Sequence, residues 1–195
     1  MIILLLLRIL YSYFYLFIIL GLLAGVVSAL FLKYNDLTSN LFKNKISKNL
    51  PKWFSMVIIG LLVGVSGYFY SDIFGIGYLG INRILSNSTA WQIVIVLLVL
   101  KFMLVPLVLN SGGFGGTFAP ALFIGACSGF LFSYFTTAIT GIPTDSTTYV
   151  LVGMGASLAG INSIPITAIL MIFEMSREYT IMLPLMLGVI VSSTI

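Results

Sequence analysis

The sequence has no histidine and a single cysteine, Cys127, in 195 residues. That excludes His/Cys zinc sites, Ser-His-Asp or Cys-His catalysis, and any intramolecular disulfide. Charge is nearly as scarce. Nine basic and five acidic side chains make up 7% of the chain, where a soluble domain carries about 25%. So few charges cannot cover a water-facing surface of this size. Apolar residues reach 60%, with a mean hydropathy of +1.18. This is the composition of an integral membrane protein whose first partner is the lipid bilayer, and the apolar runs below are those of an all-α, polytopic chain.

The net charge of +4 is confined to one place. Between residues 33 and 52 stand Lys33, Lys43, Lys45, Lys48 and Lys52 against Asp36. A lysine-rich connection between apolar segments belongs on the cytoplasmic side of a membrane. The basic surplus therefore implies a cytoplasmic loop over 33–52, and no nucleic-acid partner.

A straight helix needs about 20 apolar residues to cross a bilayer core of about 30 Å. Residues 2–32 exceed this, which implies strong tilt or extension beyond the bilayer, and they are far too long for a cleaved signal peptide. Residues 53–70 form a second apolar helix, with Pro51 and Trp53 at its start. The glycine-punctuated stretch 71–87 is too short and polar to cross alone. Residues 91–109 make a third helix containing Lys101 and Pro106, and 118–138 a fourth. Three shorter apolar pieces follow at 149–161, 164–175 and 180–195, the first two separated by Asn162 and Ser163. Discontinuous helices meeting near the midplane are how transporters build ion sites. Irregular backbone at that depth is tolerated only inside protein or along a cavity. The pattern thus predicts a polar site within the membrane.

The sharpest break is the glycine-rich segment 110–120, with Gly112, Gly113, Gly115 and Gly116 ahead of Thr-Phe-Ala-Pro120. Glycines let a backbone approach a ligand closely, and proline suits the first turn of a helix. Amides of that first turn lack intrahelical acceptors and carry the positive end of the helix dipole. The product is an anion nest with no full charge, from which an ion can also leave. The pairs Gly21/Gly25, Gly60/Gly64 and Gly125/Gly129 are instead expected to pack helices together.

SGGFGGTFAPALFIGA at 111–126 resembles the third filter segment, G-x-F-x-P, of the CLC chloride channels and proton–chloride antiporters. GMGASLAGINSIPITA at 153–168 resembles a second hallmark of that family, and FEM at 173–175 and LPL at 183–185 continue in its style. The resemblance is clearest from Trp91 onward and looser before it. It implies a CLC-type half, the second inverted-topology repeat, with discontinuous, tilted helices and a filter loop at a helix N-terminus. Thr117 and Phe118 would offer backbone amides to chloride, within a filter of Gly116, Thr117, Phe118, Ala119 and Pro120. The Phe118 ring would lie beside the ion path.

Neither the family's G-S-G-I-P segment nor its G-R-E-G-P segment occurs, so the gating glutamate is absent, as is the tyrosine that closes the filter. The expectation is a fragment, a split gene product or a half-subunit that needs the missing first repeat. Full subunits would form a homodimer through 164–175 and 180–193. The resemblance implies chloride transport, as a channel or a proton-coupled antiporter, in a prokaryotic plasma membrane. Chloride would be the transported substrate, with no cofactor, metal or enzyme activity. The alternative is a non-conducting membrane scaffold. Lys101 is expected to snorkel or to pair with backbone carbonyls, and Glu174 to form a structural ion pair with Arg177.

Overall fold

The computed structural model describes residues 2–43, 51–75, 77–86, 88–141 and 145–195. Lys45, Lys48 and Pro143 therefore lie outside the described residues. Among these, eight α-helices carry the chain: α1 Ile2–Leu41, α2 Lys52–Phe69, α3 Tyr78–Leu85, α4 Trp91–Asn110, α5 Phe118–Thr140, α6 Ser146–Asn162, α7 Pro165–Ser176 and α8 Met182–Ser193. Two 3-10 turns, Ser71–Ile73 and Tyr179–Ile181, join them.

The central element is α6, buried from Tyr149 through Ala159. Such all-round burial needs small residues facing its neighbours. A Cβ on Gly153 would come within 2.5 Å of the Gly125 carbonyl oxygen, and Cβ atoms on Gly125 and Gly129 would strike the α6 backbone in return. Residues 125 and 129 thus oppose 153 and 149, so α5 and α6 run antiparallel in backbone contact. On its other side Phe17 of α1 stacks on Tyr149 at 4.8 Å between ring centroids. Helices α1 and α8 meet at Gly21 against Gly188 and Gly25 against Ser192, a parallel crossing. Two of the three expected glycine pairs therefore pack helices. The third does not: Cβ atoms on Gly60 and Gly64 would meet nothing within 4 Å among the described residues. Their face of α2 points away from the other described residues, beside exposed Val57 and Leu61.

The first helix does not stop where its apolar run stops. It continues to Leu41, so the first part of the expected 33–52 loop is helical. The Thr38 hydroxyl donates back to the Tyr34 carbonyl at 2.7 Å, and Asn110 Nδ2 donates to Asn35 Oδ1 at 3.0 Å. Loss of hydropathy marks where lipid contact ends; the hydrogen-bond ladder ends elsewhere.

Lys101 is 4% exposed. Its ammonium donates to the carbonyls of Ile73 at 2.7 Å and Gly75 at 3.0 Å, and lies 5.2 Å from the Phe123 ring centroid. It pairs with backbone carbonyls, as the sequence implied, and ties the 71–75 turn to α4. Lys101→Met is expected to cost about 2–3 kcal/mol, the worth of hydrogen bonds to a charged group. It should also accelerate amide exchange across 71–75. Thermal unfolding in detergent and exchange mass spectrometry would read both, and unchanged stability would rule out the tether.

The expected Glu174–Arg177 pair is not formed. Among the described residues the salt bridge is Arg83 Nη1 to both carboxylate oxygens of Asp72, at 3.0 and 2.9 Å. Arg177 caps α7 in the left-handed conformation, φ 54°, which turns it out of the helical path an i, i+3 pair requires.

Candidate anion-binding site

The glycine-rich segment divides into two halves with different tasks. Ser111 caps α4, and Gly112 follows with φ +102°, a conformation favouring glycine. Gly113 N–H then donates to the Val108 carbonyl at 3.1 Å, and the Ser111 hydroxyl donates to the same carbonyl at 2.8 Å. This is the 6→1 bond of a Schellman stop. A Cβ on Gly113 would come 2.9 Å from that carbonyl oxygen. The first pair therefore ends a helix.

The second pair is open. Among the described residues a Cβ on Gly116 would meet nothing within 4 Å, and one on Gly115 only Leu109 Cδ2, at 3.3 Å. Thr117 is the N-cap of α5 and makes no side-chain capping bond. Its carbonyl accepts from Ala121 N–H at 3.0 Å. Pro120 has no N–H to satisfy. Among the described residues the amides of Thr117, Phe118 and Ala119 have no backbone acceptor. A helix start of this kind presents donors and a positive dipole end to whatever lies before it.

Of the predicted site residues, Gly116, Ala119 and Pro120 line a cavity of about 430 Å³ together with Gly115, Phe74 and Lys101. Its other walls are apolar, and the Lys101 ammonium there is already held by two carbonyls. Thr117 and Phe118 do not line this cavity. Thr117 turns instead toward the end of α6, where its hydroxyl donates to Asn162 Oδ1. Phe118 is half-buried against the hydrophobic core. Sequence reasoning used Asn162 and Ser163 only to separate two apolar pieces. That break coincides with the second motif, which was the available signal that it lies near the filter.

A protein-family model described as voltage gated chloride channel matches residues 5–195. The chain belongs to that family. Its relatives include a putative ClcB-like chloride channel protein of Ralstonia nicotianae, 37% identical over 172 residues, covering 88% of this chain and 39% of that protein. Another is the chloride channel protein CLC-e of Arabidopsis thaliana, 31% identical over 92% of this chain and 28% of that protein. An H(+)/Cl(-) exchange transporter ClcA of Klebsiella pneumoniae is 29% identical over 89% of this chain and 37% of its own length. The crystal structure of a slow cyanobacterial Cl-/H+ antiporter superposes with a TM-score of 0.81 at 25% identity, over 93% of this chain and 42% of that one. This CLC chain thus spans about two fifths or less of the curated relatives named here. Bacterial and plant proteins stand side by side among them, so kinship favours no one kind of cell. The fold is that of CLC transporters, and the chain is an integral membrane protein of the same kind: all-α, with helices interrupted at 111–117 and 163–164.

Proposed function

We propose that this chain supplies half of a transmembrane chloride pathway, of channel or proton-coupled antiporter type, in which amides at Thr117 and Phe118 hold the anion. The filter segment runs from Gly116 to Pro120. The observation carrying this reading is the start of α5, where first-turn amides lack backbone acceptors among the described residues and the N-cap threonine leaves them uncapped. Relatives described as a chloride channel protein and as an H(+)/Cl(-) exchange transporter support the choice of ion.

Physical chemistry requires the other half. A bare ion entering a low-dielectric interior loses tens of kcal/mol of solvation on a Born estimate. Two amides, at about 1.5–3 kcal/mol each for bonds to a charged group, cannot replace that. Further donors come, on this reading, from a first repeat facing the same site. The bare face of α2 around Gly60 and Gly64 offers room for a close-packed partner helix. The same proposal sets the 33–52 segment on the cytoplasmic side and pairs full subunits through α7 and α8, where Ile166, Leu170 and Leu183 are exposed.

Reconstituted alone, the chain should give no chloride flux above empty liposomes. Co-expressed with a first repeat carrying G-S-G-I-P and G-R-E-G-P segments, it should conduct. Robust anion-selective flux from the 195-residue chain by itself would overturn the half-site. An associated pair of halves without flux would favour the scaffold.

A further inference from the structure

Thr117 sits where an N-cap threonine would ordinarily turn its oxygen to an amide of its own first turn, at N2 or N3. Here it does not. The N3 residue is Pro120, which has no N–H, and the Thr117 backbone is helical, φ −81°, ψ −11°, rather than extended as a cap requires. Its hydroxyl reaches instead across 45 positions of sequence and donates to Asn162 Oδ1 at 2.5 Å.

The receiving side is tied back to its own helix. Asn162 closes α6, and its Nδ2 donates to the Leu158 carbonyl at 3.4 Å, one turn back. Ser163 follows in the left-handed conformation, φ 57°, and Pro165 opens α7. A β-branched side chain such as threonine has few χ1 choices, so a bond at its hydroxyl also fixes its backbone. Gly116 just before it offers no comparable hold, since among the described residues a Cβ there would have no neighbour within 4 Å.

We infer that Asn162 is a positioning residue for the anion nest: its carboxamide clamps Thr117 to the α6–α7 break and so sets the spacing of the Thr117 and Phe118 amides. This rests on the reading of the α5 start as an anion site. An amide nest held at fixed spacing discriminates anions by size and shape; released, it adapts to several. The clamp also keeps the Thr117 hydroxyl engaged elsewhere, so the anion meets backbone donors of fixed direction.

The test is calorimetric titration of chloride, bromide and nitrate onto the chain assembled with a first repeat, in detergent. Wild type, Asn162→Leu, Thr117→Val and the double variant are compared, each with its thermal unfolding curve. Asn162→Leu and Thr117→Val should each weaken chloride binding about fivefold, the size of one ordinary hydrogen bond. The double variant should lose no more than either single one, and the preference for chloride over nitrate should narrow in all three. Wild-type affinity and anion ranking in folded Asn162→Leu would overturn the clamp and leave the anion site standing. So would losses that simply add, or lowered thermal stability with unchanged anion ranking. A wild-type assembly that titrates none of the three anions would remove the site and the clamp together.

Discussion

Gly153→Val should leave almost no correctly folded protein. A single Cβ there would come within 2.5 Å of the Gly125 carbonyl oxygen and 3.0 Å of the Gly129 Cα. Overpacking costs about 1–3 kcal/mol where side chains can move aside. Here the obstacles are backbone atoms of a buried helix, so α5 and α6 would have to separate along their length. A loss of at least about 3 kcal/mol is expected, a large share of the about 5–15 kcal/mol that holds a typical domain together. The measurement is the monodisperse fraction after detergent extraction, with Gly60→Val as the matched control. Gly60 has open space around it among the described residues, so the control should extract normally. Equal yields from both variants would show that α5 and α6 tolerate separation.

Gly116→Val should do the reverse. Among the described residues nothing lies within 4 Å of the added Cβ, and extraction and thermal stability should stay near wild type. On the proposed reading, two methyl groups beyond that Cβ would stand directly before the Thr117 and Phe118 amides and obstruct the ion there. Chloride flux through the chain assembled with a first repeat should fall to the level of empty liposomes. Flux measured with a chloride electrode, normalised to protein extracted, decides it. Normal flux from a folded Gly116→Val assembly would mean that the ion does not pass the α5 start. The two variants separate glycines that hold helices together from glycines that keep a path clear.

That distinction was only half legible in the sequence. Spacing four apart identified Gly21/Gly25 and Gly125/Gly129 correctly, because close helix crossings repeat every turn. The same spacing at Gly60/Gly64 meets no neighbour, since a pattern on one helix says nothing about which partner is present. In the segment 110–120 the four glycines looked alike. Only the backbone shows that Gly112 and Gly113 end α4, through φ +102° and the bond to the Val108 carbonyl. Lys101 was readable because a lone buried ammonium must find acceptors. The Glu174–Arg177 pair failed because the spacing rule assumes both residues remain helical, and Arg177 does not. The Thr117–Asn162 bond joins residues far apart in sequence, and no periodicity announces it.

The burial of α6 bears on how the protein is made. It is the most enclosed helix of the fold, yet it is not among the three described helices long and apolar enough to cross a membrane by themselves, 14–41, 91–110 and 118–139. Its serines, threonines and glycines suit a crowded protein interior better than lipid tails. At 17 residues, with a polar first turn, α6 is a weaker candidate for crossing lipid alone than its neighbour α5. Its antiparallel register with α5 suits insertion as one hairpin, with the apolar α5 beside α6 and the faces that α1 and α8 cover left for later. Biogenesis should therefore be most fragile at the moment between synthesis of α6 and arrival of α8. Variants weakening the hairpin would be lost to quality control before any question of transport arises.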